Sequence, residues 1–283
     1  MLSRSLRSTT QVLGILALGV LTACGGGAGA PSTPPLGTSQ AAALPQEKMF
    51  GRAAGPARSS YATIYSFNDE YSNGGLIALN GNLYGTTDGI IFEVSTSGTE
   101  RVIYSYNISG LHAGLTAVNG NLYDTAAITT PDSGTNGSVF EVSRSGTERE
   151  LYSYRGASPN GGLLEANGAL YGTALGGIST PENPDAIPWG AVFELSTSGT
   201  ERTLYSFKGG ADGNGPNGGL IEANGALYGT TTGGGANNLG TIFEVSTSGT
   251  ERMLYSFKGG ADGNGPNGGL IEANGALYGT TEC

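Results

Sequence analysis

The sequence predicts an all-β fold: a β-propeller of four-stranded antiparallel blades, about five in number, with the closing blade incomplete. Three observations carry this. Glycine is the commonest residue, 51 of 283, and it falls at fixed places between short β-prone runs, which is the pattern of many strands joined by tight turns. A tyrosine in a "YSF" or "YSY" run recurs at Tyr65, Tyr104, Tyr152, Tyr205 and Tyr255, in steps of 39, 48, 53 and 50 residues. Periods of this length belong to units that bury their faces only by stacking on one another. The phenylalanine of an "FEV" or "FEL" run precedes the tyrosine by twelve residues every time: Phe92 to Tyr104, Phe140 to Tyr152, Phe193 to Tyr205 and Phe243 to Tyr255. A constant interval means two strands joined by a fixed turn.

The elements follow in chain order. At the start, "MLSRSLRSTTQVLGILALGVLTAC" sets Arg4 and Arg7 before an apolar run that is short for a bilayer span and reads as a cleaved secretory leader, residues 1–23. Its end, Leu21-Thr22-Ala23-Cys24, resembles the lipobox of bacterial lipoproteins. That resemblance implies lipid on Cys24, which becomes the mature N-terminus. Gly25 stands where an Asp would imply inner-membrane retention, so the expectation is an exported outer-membrane lipoprotein, facing the periplasm or the surface, with the membrane as its partner through the lipid. Residues 24–58 are rich in Gly, Pro, Ala and Ser and read as a flexible tether. Cys24 and Cys283 are the only cysteines. With lipid on the first, no intrachain disulfide forms, and stability has to come from packing.

The repeat domain spans 59–283. In the unit beginning at Gly218, "GGLIEA" is strand a, Asn224-Gly225 a two-residue turn, "ALYGTT" strand b, "TIFEVS" strand c, "TSGT" a turn and "ERMLYSF" strand d. Asn-Gly favours the type I′ turn, whose twist suits a hairpin, and it recurs at Asn80-Gly81, Asn119-Gly120, Asn167-Gly168 and Asn274-Gly275. Apolar residues stand side by side in strands b, c and d, as expected of sheets covered on both faces. The a–b and c–d turns fall at one end of the unit and the b–c and d–a loops at the other. The turns barely vary, whereas the b–c and d–a loops vary and are longer, with "LGGISTPENPDAIPWG" at 175–190 and "AAITTPDSGTNGS" at 126–138 as b–c loops. Variable loops on a rigid frame are where binding concentrates.

The composite "LYSF…GGL…NGxLYGTT…GTIFEVSxSGTER" resembles the GloVer tandem repeats of choice-of-anchor surface proteins, over residues 61–281. The resemblance implies an exported, surface-attached repeat protein and supplies no catalytic residues. Such proteins often carry a C-terminal sorting tail, which this sequence does not show; a lipid on Cys24 would serve instead.

The net charge of −10 and the absence of a Lys/Arg cluster argue against nucleic acid as a partner. His112 is the only histidine, so multi-histidine zinc sites and HExxH are excluded, and no GxSxG occurs. Glu93, Glu141, Glu194 and Glu244 in strand c, and Glu100, Glu148, Glu201 and Glu251 before strand d, recur unit by unit. A repeating carboxylate suits a structural role, such as pairing with Arg101, Arg149, Arg202 and Arg252, better than the two unlike acids of a glycosidase. "GGADGNGPNGG" at 209–219 and 259–269 places Asp212, Asn214 and Asn217 in a glycine loop. These are oxygen donors of the calcium-loop kind but without the closing Glu, and turn chemistry alone also accounts for them. Calcium is the one cofactor the sequence suggests, and only weakly. Trp189, the only tryptophan, lies in the longest b–c loop, where it either anchors a ligand or covers the core. The candidate ligand-binding residues are Trp189, Asp185, Asp212, Asn214, Asp262 and Asn264, for a glycan or a protein. No catalytic or metal residues are assigned. A propeller hydrolase or lyase acting on carbohydrate, and a structural repeat without ligand, stay open.

The chain ends inside a unit, after strands a and b at 268–281. A spare strand d, "YATIYSF", stands at 61–67, and the one candidate for strand c is the segment near "EKMFGRA", 47–53. The expectation is a closing blade built from both ends and weaker than the others.

Overall fold

A computed structural model describes residues 17–22, 72–87, 89–106, 114–130, 134–178 and 188–282. Cys24, the tether, the segments 47–53 and 61–67, His112, Asp185 and Cys283 lie outside them. The first described strand, β1 (Ala17–Thr22), falls within the expected leader. Sheet 1 is β2 (Ser72–Leu79), β3 (Asn82–Thr87), β4 (Ile90–Ser95) and β5 (Glu100–Ser105). Sheet 2 is β6 (Thr116–Val118), β7 (Asn121–Thr130), β8 (Gly134–Val142) and β9 (Glu148–Arg155). Sheet 3 is β10 (Ser158–Pro159), β11 (Leu164–Ala166), β12 (Ala169–Leu175), β13 (Ala191–Ser196) and β14 (Glu201–Ser206). Sheet 4 is β15 (Asn214–Ala223), β16 (Ala226–Gly233), β17 (Thr241–Ser246) and β18 (Glu251–Ser256). Sheet 5 holds β19 (Ile271–Ala273) and β20 (Ala276–Thr281). The first four sheets run antiparallel in chain order, a-b-c-d; in sheet 3 the inner strand is split into β10 and β11, both paired with β12.

The expected hairpins form. All five Asn-Gly turns have both residues at positive φ, for example Asn224 at 53° and Gly225 at 81°, as type I′ requires. The c–d turn is closed by side chains as well as backbone: Ser95 Oγ accepts from the Thr99 amide at 3.0 Å while Gly98 donates to the Ser95 carbonyl at 2.9 Å. Its glycine is doubly required. In later sheets a Cβ on Gly199 or Gly249 would stand 2.7 or 2.5 Å from the carbonyl of Leu151 or Leu204 in the preceding sheet.

Each strand d carries a bulge that the alternation alone does not reveal. Val192 pairs with Tyr205 but Phe193 with Thr203, so Leu204 is the extra residue; the same shift recurs opposite Phe92, Phe140 and Phe243. The bulge re-aims a side chain, and Ile103, Leu151 and Leu204 are all buried.

Apolar clusters bind sheet 1 to 2, 2 to 3, 3 to 4 and 4 to 5. The sheets therefore stack face to face in chain order, as propeller blades do. The inner strands share an axis, because the Gly-Leu pairs 75–76, 114–115, 162–163 and 219–220 line one cavity of about 250 Å³. Glycine lets these strands approach backbone to backbone: a Cβ on Gly161 would meet Gly218, and one on Gly218 would meet Gly268. Beside them runs an amide ladder in which Asn160 Nδ2 donates to Asn217 Oδ1 at 2.5 Å and Asn217 Nδ2 to Asn267 Oδ1.

The fifth sheet departs from expectation in its N-terminal contribution. Its third described strand is β1, which pairs with β20 in parallel, Ala17 opposite Ala276 through Thr22 opposite Thr281. The antiparallel pattern of the other sheets is broken there.

Candidate binding face

The described end of the b–c loop of sheet 3 meets the d–a segment that leads into sheet 4. β12 leaves the sheet at Leu175 and the chain returns at Trp189, two residues before β13. The Trp189 carbonyl accepts from the Gly215 amide at 2.9 Å, which ties the b–c loop of sheet 3 to the d–a loop that follows it. The indole lies over Gly209: a Cβ there would be 3.0 Å from its Cε2 and Nε1. Gly209 is thus required both by this approach and by its φ of 72°. The result is an aromatic ring on a backbone floor, 45% exposed. Sheet 4 repeats the frame with a different side chain. Gly265 donates to the Leu239 carbonyl at 2.9 Å, and a Cβ on Gly259 would be 3.0 Å from Leu239 Cδ1.

The structure gives Asp212 and Asp262 to loop folding. Asp212 Oδ2 accepts from the Tyr205 hydroxyl at 2.8 Å and the Lys208 amide at 2.9 Å. Asp262 does the same with Tyr255 and Lys258, both at 2.8 Å. Burial, and then the hydrogen bond to Asp212, hold the Tyr205 phenol above its ordinary range. Asn214 stands opposite Gly233 in the β15–β16 register. Asn264 is bridged through its backbone to Glu282, both bonds 2.9 Å. Asn217 belongs to the axial ladder. The side-chain oxygens of Asp212, Asp262 and Asn217 are therefore engaged within the fold, and among the described residues no three His, Cys, Asp or Glu side chains gather as a metal site.

The repeating carboxylates pair as expected. Glu93, Glu141, Glu194 and Glu244 bond Arg101, Arg149, Arg202 and Arg252. Asn82 and Tyr84 also donate to Glu93, at 2.6 and 2.7 Å. Burial works to raise the Glu93 and Glu141 carboxyls, but the hydrogen bonds outweigh it and leave both below the ordinary value. Glu201 and Glu251 go the other way, pushed up first by burial.

Sequence reasoning singled out Trp189 but missed Gly209, the floor of the ring. A signal was present: four residues before the strand-c phenylalanine stand Asp88, Asn136, Trp189 and Leu239, a different residue in each unit, directly ahead of a glycine that does not change.

Among solved structures the chain is similar to a streptogramin B lyase, at 16% identity and a TM-score of 0.49, covering 75% of this chain and 61% of that one. It is also similar to a gluconolactonase from Xanthomonas campestris, at 13% identity and 0.41, covering 67% and 61%. The chain thus spans about 61% of the length of each. No curated protein matches it. Residues 110–283, with their recurring a-b-c-d units, match the Gloeobacter/Verrucomicrobia repeat, and the chain belongs to that repeat family.

Proposed function

We propose that the protein is a lipid-anchored cell-envelope scaffold that binds a glycan through its b–c and d–a loops, with Trp189 as the contact platform. The observation that carries this is the half-exposed indole held flat on the Gly209 backbone. A ring fixed this way offers a large apolar face at little entropic cost. The CH face of a sugar fits against it, and hydroxyls at the rim reach the surrounding loop amides and carbonyls. The lipobox at Leu21 to Cys24 supports the anchor, and the acidic chain leaves nucleic acid an unsuited partner.

The test is a glycan array with the processed protein, run beside a protein pull-down. Trp189→Ala should lower binding at least tenfold with the melting curve nearly unchanged, and Trp189→Phe should keep most of it. Ligands captured equally well by wild type and Trp189→Ala would sink the reading; hits confined to the pull-down would replace the glycan with a protein. Cys24→Ser should release the chain from the membrane fraction.

A further inference from the structure

One frame recurs in sheets 2, 3 and 4 and holds a different side chain each time. Asn136, Trp189 and Leu239 stand four residues before the strand-c phenylalanine, and Gly156, Gly209 and Gly259 stand four residues after the strand-d tyrosine. The structure seats the first group on the second. Asn136 Oδ1 accepts from the Gly156 amide at 3.3 Å. A Cβ on Gly209 would be 3.0 Å from the Trp189 indole, and one on Gly259 would be 3.0 Å from Leu239 Cδ1. The indole is 45% exposed, and Asn136 and Leu239 are half-buried.

Each seat is fixed to the sheet that follows it. The glycine after the seat residue has no room for a side chain: a Cβ on Gly137, Gly190 or Gly240 would collide with Cδ of Pro159, Pro216 or Pro266. Each of these prolines directly precedes an asparagine of the axial ladder, Asn160, Asn217 or Asn267. The same glycines are held from their own sheet, since the Gly190 and Gly240 carbonyls accept from the Phe207 and Phe257 amides at 2.9 and 3.1 Å. The spacing from seat to seat is therefore set by the stack of sheets. The frame needs its glycines and prolines and asks for no particular side chain on the seat. An amide, an indole and an isobutyl group stand there, the last also packed against the core between sheets 4 and 5. Variation confined to one position of a rigid, repeated frame is the pattern of a surface that reads a ligand.

We infer that the three seats are successive subsites for one linear glycan chain laid across sheets 2, 3 and 4. Asn136 meets its hydroxyls, Trp189 takes the CH face of a ring, and Leu239 packs against a further apolar edge. The inference rests on the glycan reading of Trp189 and adds the form of the glycan. Packed sheets stand about 10 Å apart, farther than one sugar ring spans. A monosaccharide therefore occupies a single seat, and only a chain engages several. Once one ring is held, the next contact is made within the same complex, at a high effective concentration. A protein partner is better served by one contiguous apolar patch, whereas the two apolar seats here stand on separate sheets.

The test is an array of linear oligomers of glucose, mannose, galactose, xylose and N-acetylglucosamine, each printed as a length series from the single sugar upward. Affinity should rise by at least about tenfold along the series that binds and then level off, as linked contacts require. Trp189→Ala should weaken short and long members alike. Asn136→Ala and Leu239→Ala should weaken the long members a few-fold and leave the single sugar unchanged. Should Leu239→Ala lower the melting temperature, Leu239→Trp is the second variant: it sets a second indole on Gly259 and should tighten the long members a few-fold. Binding that needs Trp189 but is equal at every length overturns the chain and leaves the glycan reading standing. Long members indifferent to Asn136, to Leu239→Ala and to Leu239→Trp overturn it in the same way. No bound member, binding indifferent to Trp189, or partners found only by protein pull-down overturns both readings.

Discussion

The letters NGPNGGLIEA form a single ten-residue strand at 214–223, and at 264–273 they form a three-residue strand and one isolated bridge. Local propensity is identical in the two, so it cannot be the cause. What differs is the neighbourhood. β16 is flanked by β17, and its Thr230 and Thr231 are buried, whereas Thr280 in β20 is exposed. The extent of a strand here is a property of the sheet packed beside it, in keeping with the context dependence of β-propensity. In a stack of repeats, stability is mostly a sum of junctions, and among the described residues sheet 5 packs against one neighbouring sheet where sheet 4 packs against two.

The largest effects should fall on this contrast. Leu220 and Leu76 hold the same position in strand a, but Leu220 is 5% exposed between two sheets and Leu76 is 59% exposed on sheet 1, which no described sheet precedes. Leu220→Ala should cost about 2–5 kcal/mol, the range for a buried leucine. Leu76→Ala should cost under about 1 kcal/mol. Urea denaturation of the two variants measures the gap. Equal losses would mean that the outer face of sheet 1 is covered in solution. Ile221 and Ile271, the latter 64% exposed, make the same comparison at the other end.

The amide ladder should give the next largest difference. Asn217 accepts from Asn160 and donates to Asn267, and it also takes the Gly218 amide at 3.0 Å. Asn217→Ala breaks both rungs, at about 1 kcal/mol per bond. Asn267 has one strong rung and a 3.5 Å contact to Glu282, so Asn267→Ala should cost about half as much. Thermal unfolding that ranks them in the opposite order would show that the ladder does not bear on stability.

Much of this was legible in the letters, and what was not has a common cause. The type I′ turns, strands c and d, the Glu–Arg pairs and the loop-bearing end follow from patterns within one unit. The bulged Leu204, the axial Asn217 and the floor beneath Trp189 each depend on a neighbour some 20 to 60 residues away, and nothing within one unit marks them. Asp212 reads as a ligand donor or a turn former on sequence alone, and the Tyr205 hydroxyl that engages it comes from the preceding strand. Strand β1 could not be foreseen, because its pairing with β20 uses no repeat pattern at all.

Acid should separate two sets of carboxylates by sign. Glu93 and Glu141 have folded values below their unfolded one, near 4.5. Their contribution is in place above that value and is lost as pH falls through the depressed folded one. Glu201 is raised, so its contribution is in place below the unfolded value and is lost as pH rises through the folded one. Glu93→Gln should therefore lower stability at pH 7, by about 1 kcal/mol or less for a pair with an exposed arginine, and should flatten the acid limb. Glu201→Gln should raise stability at pH 7. Denaturant midpoints at pH 7 and pH 4 read both, and a shift of the same sign in the two variants would contradict the assignment.

The smallest expected difference lies in the arginines. Arg202 bonds Glu194 within its sheet and the Thr247 carbonyl in the next, at 2.9 Å. Arg252 bonds only Glu244 among these partners. The intrasheet pair is a surface salt bridge and contributes about 0–1 kcal/mol in either case. Arg202→Ala additionally loses one charge-assisted bond across a junction, so it should cost about 0.5–1 kcal/mol more than Arg252→Ala. Salt supplies the control. Screening weakens the exposed pair in both variants alike, while the bond to a carbonyl is less affected, so the excess cost of Arg202→Ala should survive 0.5 M NaCl. Should the excess vanish with salt, it came from the ion pair, and the arginine does not join the sheets. Should it be absent at low salt as well, sheets 3 and 4 are held by their apolar faces alone, and the array loses its polar stitch at that junction without consequence.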